Sequence, residues 1–158
     1  MTNYTFPKFF LPSKQFSWIL LAVFFTFDAF SSYYAIRYMG AKEGNPLIAP
    51  YVQNNPMLFF PIMVFGYILT YIIYFILKTI FWNLLKHLKF VTKILIEKIV
   101  LGAIIIFYFF TVVLNNSLYI LGFWIPATLT VNLTIGLIMA PIYGLIILYI
   151  SSKNEIQS

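Results

Sequence analysis

Residues 16–39 read FSWILLAVFFTFDAFSSYYAIRYM, an apolar run carrying one acid, Asp28, and one base, Arg37. A helix rises about 1.5 Å per residue, so about 20 residues cross the roughly 30 Å hydrocarbon core of a bilayer. The run is long enough to span. Ser13 or Ser17 is placed to cap its start, and Gly40 to end it. Lys8 and Lys14 ahead of an apolar stretch also fit a signal peptide. That reading fails on the length of the run, on the acid inside it and on the missing small-x-small cleavage site. A retained membrane helix is expected.

The rest of the chain repeats the theme. Of its 158 residues 62% are hydrophobic and 9% charged, and mean hydropathy is +0.92. A soluble domain carries about 25% charged residues. Soluble enzymes and nucleic-acid binders are therefore excluded, and the fold class is an all-α polytopic membrane protein. With no cysteine there are no disulfides or thiolate metal sites, and the single histidine, His87, leaves no imidazole pair for haem or a His-rich metal centre.

Residues 40–56, GAKEGNPLIAPYVQNNP, form a loop by their glycines, prolines and asparagines. A second span is expected at 57–77, with Pro56 in its first turn. Segment 78–93 interleaves Lys78, Lys86, Lys89 and Lys93 with large apolar residues and reads as an interfacial stretch whose amines reach lipid headgroups, with His87 solvated beside them. A third span is expected at 99–123. Ending it at Leu114 would strand eight apolar residues, 118–125, too few to cross and too greasy for a loop. The fourth runs 127–150, after the break at Pro126 and with a kink at Pro141.

Four spans put eight lysines (Lys8, Lys14, Lys78, Lys86, Lys89, Lys93, Lys98 and Lys153) on one side and only Arg37 and Lys42 on the other. Positive-inside bias then places both termini in the cytoplasm of a multi-pass protein of the cell membrane, gripping anionic headgroups there. Gly136, Ala140 and Gly144 form a small-residue stripe on the fourth span, read as packing inside the bundle or, secondarily, as an oligomer interface.

Asp28 lies 12 positions past Phe16, about 18 Å into the membrane. A carboxyl group there must be protonated, paired or bound to a cation. Arg37, nine positions on, falls on the opposite face at about 100° per residue. Ser31 and Ser32 share the face of Asp28. Asn115 and Asn116 lie about 24–26 Å from the basic side, and Asn132 about 8 Å from the other edge, by the same rise per residue. The uncharged polar residues of spans one, three and four thus gather in the outer half of the membrane, with Glu43 and Asn45 in the loop just above, which predicts one polar cavity opening outward. A purely structural network that fixes helix register accounts for the same pattern. Glycosylation is not expected at Asn3, Asn115 or Asn132, whose Asn-x-Ser/Thr matches fall in the membrane or on the cytoplasmic side.

The stretch Phe27-Asp28-Ala29-Phe30-Ser31-Ser32, followed by Gly40 and by Glu43-Gly44-Asn45-Pro46, resembles an uncharacterised family of small prokaryotic membrane proteins. In that family an Asp-x-x-Ser/Thr-Ser/Thr helix is followed by Gly and Glu-x-Asn-Pro. Asn115 is similar to a polar position late in its domain. The resemblance implies that Asp28, Glu43, Asn45 and Pro46 belong together, and it implies no activity. Usage rich in Ile, Lys, Asn, Phe and Tyr with one Arg agrees with a prokaryotic source.

Three functions are compatible with these residues. One is a small accessory or structural subunit of a membrane assembly. The alternative is a component that binds or transports a cation or small solute through Asp28, with asparagine oxygens suited to Na⁺, Mg²⁺ or Ca²⁺ in place of any resident cofactor, and with an oligomer or larger complex to complete a pathway. The third is an intramembrane hydrolase or transferase using Asp28 and Glu43, which needs the loop to dip back toward the helix.

Overall fold

The computed structural model describes residues 13–43, 45, 47–123 and 126–156; Lys8 and, in the loop motif, Gly44 and Pro46 lie outside them. Four helices are long and apolar enough to cross a membrane: Lys14–Met39, Pro56–Leu85, Lys93–Ile120 and Thr130–Lys153. No strand occurs among the described residues. The all-α, four-span architecture follows from the hydropathy of these runs.

Helix α1 (Lys14–Met39) starts at Ser13, whose hydroxyl oxygen accepts from Phe16 N–H at 3.2 Å. It stops at Gly40, at φ 68°, where the left-handed turn returns the Gly40 and Ala41 N–H groups to Ala35 O. A short helix α2 (Ala49–Val52) and a 3₁₀ turn (Pro56–Leu58) lead into α3 (Phe59–Leu85). Phe60 packs against Phe30 at 5.0 Å and Tyr33 at 6.0 Å between ring centroids. Helix α3 therefore begins about 9 Å, six residues of rise, below the end of α1. Segment 40–55 fills that step, and Val52 joins Ala29 and Phe59 in one buried apolar cluster.

The helix boundaries expected around segment 78–93 move in the structure. The segment's first half continues α3 to Leu85, a turn covers 86–92, and α4 (Lys93–Tyr108) starts six residues before the expected 99, capped by Thr92 through Leu95 N–H at 3.1 Å. Lys78 marked the membrane edge in the sequence because its charge stood alone there. In the fold Glu97 of α4 neutralises it, with Nζ–Oε2 at 2.5 Å, and Lys14 of α1 adds a second contact to Glu97 at 3.5 Å. Lys78 thus ties α3 to α4. Lys86, Lys89 and Lys93 are exposed, with Lys93 5.5 Å above the Trp82 ring. Charge-assisted hydrogen bonds contribute about 1.5–3 kcal/mol when desolvated, and less when part-exposed as here. Glu97→Gln is therefore expected to lower stability by about 1–2 kcal/mol. The loss should shrink in high salt, as measured by unfolding in detergent.

Beyond Tyr108 the third span runs through one π-helical stretch (Phe109–Leu114) into α5 (Asn115–Ile120), so the two asparagines are helical, as expected. Gly122, at φ 77°, ends the span. Helix α6 (Pro126–Ile156) then passes through Pro141 and beyond the expected end at 150.

Buried positions concentrate in α1 and the third span, while the second and fourth spans lie outside them. The third span packs along α6, and α1 along α3. The small-residue stripe serves the first of these contacts. A Cβ on Gly136 would stand 3.3 Å from Phe107 O, and one on Gly144 3.3 Å from Ile99 Cγ2. Ala140, between them, is half-buried. Near the basic end Leu21, Tyr74, Ile96, Val100 and Leu101 form the larger apolar core.

Candidate functional site

Asp28 sits 14 residues after Lys14 and 11 before Met39, at the middle of α1, and is 8% exposed. Three donors converge on it. Ser32 Oγ, one turn further along, donates to Oδ1 at 3.2 Å; Asn116 Nδ2 donates to Oδ1 at 2.9 Å; and Tyr108 OH donates to Oδ2 at 3.0 Å. The Asn116 amide also reaches Ser31 Oγ at 2.9 Å and Ser32 Oγ at 3.4 Å, and Asn115 Nδ2 donates to Asn116 Oδ1 at 3.3 Å.

Backbone geometry brings these groups together. Tyr108 and Asn116 are eight residues apart, which at about 100° per residue would leave them about 80° apart around a regular helix. The π turn between them absorbs about one extra residue, so the pair falls within about 20° and both side chains face Asp28. Gly66 of α3 holds the phenol in place from behind. A Cβ there would stand 3.1 Å from the Phe25 ring. Without one, Phe25 lies against α3 and stacks on Tyr108 at 4.3 Å between centroids.

A cavity with a volume of about 700 Å³ lies beside these residues. From α1 it is lined by residues 28, 31, 32, 35, 36 and 40, a stripe three turns long. From Asp28 to Gly40 that stripe rises about 18 Å, so the cavity is a slot running from the middle of α1 to the loop. Asn115, Asn116, Thr111 and Tyr119 of the third span line it, while Ile48, Phe59 and Met63 supply apolar wall. The slot ends at Lys42 and Asn45, both exposed, and Glu43, half-buried.

The loop residues are built into a turn. Gln53 accepts from Glu43 N–H at 3.1 Å through Oε1 and donates to Ala41 O at 3.0 Å through Nε2. Glu43 Oε1 accepts from Asn45 N–H at 2.7 Å, and Asn45 Oδ1 from Leu47 N–H at 3.0 Å. Glu43 and Asn45 thus share the cavity with Asp28, from its far end.

One expected member is missing. Asn132 does not line the slot; it is buried on α6 at 4% exposure, and its Nδ2 has no hydrogen-bond partner among the described residues. Depth placed it with the others, but depth carries no information on which way a side chain faces around its helix. The apolar face of α3 takes the place expected for the fourth span. Tyr108, Tyr119, Thr111 and Gln53 were not singled out from the sequence. The one available signal was Tyr108 lying eight residues, about two turns, before Asn116.

Chemically, an ionised carboxylate accepts at about four positions, and three donors occupy Asp28, leaving room for about one more. Among the described residues no ammonium or guanidinium pairs with Asp28; the ion pairs all involve Glu97. Nor do three His, Cys, Asp or Glu side chains gather anywhere among them to hold a metal ion. Comparison of the chain with protein families, with curated proteins and with solved structures finds no match.

Proposed function

We propose that this chain is a multi-pass protein of the cell membrane, both termini cytoplasmic, that binds a small positively charged solute in a slot opening to the exterior. The observation that carries the reading is Asp28, a buried carboxyl group held by three neutral donors, facing a cavity of about 700 Å³ and lacking any cationic partner among the described residues. Hydrogen bonds orient a carboxylate but do not neutralise it, and an uncompensated charge in low dielectric costs several kcal/mol. A ligand cation supplies the missing charge at the one acceptor position left open.

With no cluster of three His, Cys, Asp or Glu side chains among the described residues, this arrangement favours an organic ammonium over Mg²⁺ or Ca²⁺, which take six or more oxygens. The accessory-subunit reading has less support, because Gly136 and Gly144 are occupied by packing against Phe107 and Ile99 within the chain. The charge asymmetry of the ends supports the orientation.

The test is thermal unfolding of the full chain in nanodiscs against simple ammonium compounds and alkali cations. A ligand at 100 times its Kd stabilises by about 2.7 kcal/mol. Wild type is expected to respond to an ammonium compound such as butylamine, and Asp28→Asn to lose the response. Equal responses in the two proteins would remove the proposal.

A further inference from the structure

The donors on Asp28 are unequally shared between its two oxygens. Ser32 Oγ and Asn116 Nδ2 both donate to Oδ1, at 3.2 and 2.9 Å, and fill the lone pairs of that oxygen. Oδ2 accepts from Tyr108 OH alone among the described residues, at 3.0 Å, so the open acceptor position belongs to Oδ2. Two species can neutralise the carboxylate there: a ligand ammonium through one N–H, or a proton bonded to the oxygen itself. One position does not hold both.

The other charged and titratable groups stand elsewhere. Arg37 is exposed on the opposite face of α1. Lys14, Lys78 and Glu97 pair with one another toward the start of α1, and Lys14 precedes Asp28 by about 21 Å of helix rise. From the third span Tyr108 is the donor already counted, and Tyr119 lines the slot about one turn past Asn116. Helix α3 lines the slot with Phe59 and Met63, which carry no charge. Lys42 and Glu43 belong to the loop end, where Glu43 holds Asn45 N–H.

We propose that Asp28 takes its ligand by exchange, one proton leaving Oδ2 for each ammonium group that arrives. The O–H bond breaks with its electron pair left on Oδ2, the proton passes to water in the slot, and an N–H···Oδ2 contact forms. The site is neutral before and after, so exchange moves no net charge along the slot. A bare carboxylate is costly in low dielectric, which ties departure of the proton to arrival of the cation. Ser32, Asn116 and Tyr108 act as positioning residues that keep the carboxyl plane fixed while its partner changes. Because a proton must leave, affinity rises with pH, about tenfold per unit wherever the ligand-free site carries the proton, a factor worth about 1.4 kcal/mol.

The exchange rests on the solute-binding reading and deepens it, and the experiment separates the two. Butylamine is titrated calorimetrically into the full chain in nanodiscs at about pH 7, in phosphate and in Tris, whose different heats of protonation count the protons released. Butylamine stays an ammonium from about pH 6 to 8, as lysine does, so a released proton comes from the protein. About one proton per ligand is expected, with affinity about tenfold higher at pH 7 than at pH 6. Infrared difference spectra locate the proton. Wild type should show the C=O band of a protonated carboxyl group, butylamine should remove it, and Asp28→Asn should lack it. Equal heats in the two buffers with equal affinity from about pH 6 to 8 would overturn the exchange and leave the solute-binding reading standing. A C=O band that butylamine leaves in place, or that Asp28→Asn retains, would do the same. If butylamine does not bind across this range, both readings fall. The buffer comparison uses wild type alone, so it decides the matter even where Asp28→Asn does not fold.

Discussion

Replacing Asn116 by alanine is expected to destabilise the protein by about 2–3 kcal/mol, the largest loss of any single substitution in the polar layer. Hydrogen bonds between membrane helices are weaker than intuition suggests, averaging about 0.6 kcal/mol and reaching about 1.7. Asn116 exceeds that average for two reasons. Its Nδ2 serves Asp28 Oδ1 and Ser31 Oγ at 2.9 Å each. One of those partners is a carboxyl group, and removing a donor from a buried charged acceptor costs about 1.5–3 kcal/mol. Asn115→Ala, which removes a donor from Asn116 rather than from Asp28, should cost about 1 kcal/mol. Asp28→Leu combined with Asn116→Leu should lose less than the two single changes together, by 1 kcal/mol or more, because residues in one network couple. Additive losses in reversible unfolding would show that Asn116 acts apart from Asp28.

Gly102→Ala is expected to change sign with its surroundings. A Cβ at position 102 would overlap the phenol of Tyr143, at Cε1, Cζ and OH alike. Helix α6 lies along α4 here, so the ring can yield only by lifting off Gly102, and overpacking of this kind costs about 1–3 kcal/mol. In a Tyr143→Ala background the space is free, and alanine is favoured over glycine within a helix by about 1 kcal/mol. The same substitution should then stabilise the protein. Melting temperatures of the four proteins in this cycle decide the matter. Destabilisation in both backgrounds would place the strain elsewhere.

Much of this arrangement was legible from hydropathy and helix rise. Span number follows from run length, and the similar depth of Ser32, Asn115 and Asn116 follows from counting residues. What depth cannot supply is azimuth, and the misplacement of Asn132 came from that gap. Tyr108 was invisible for a different reason: among 12 tyrosines in an apolar chain, nothing local marks the one whose hydroxyl meets a carboxyl group. A lysine normally signals the water boundary, so in the sequence the second span reads as ending at 77. Lys78 is quenched by Glu97, nineteen residues later on another helix, and a pairing across helices leaves no local trace. Gln53, the residue that holds the loop, reads as an ordinary polar loop residue until the fold brings it to Ala41 and Glu43.

The π turn at Phe109–Leu114 carries a genetic consequence. Loss of a single codon within it, for instance that of Val112, would return the helix to its regular repeat and leave the asparagine seven residues from Tyr108, still within about 20° of it. The layer around Asp28 would keep its facing through such an event. Descendants of this gene are therefore expected to tolerate a one-residue deletion in that stretch, and to lose the layer on a further insertion, which would swing the asparagine about 100° away.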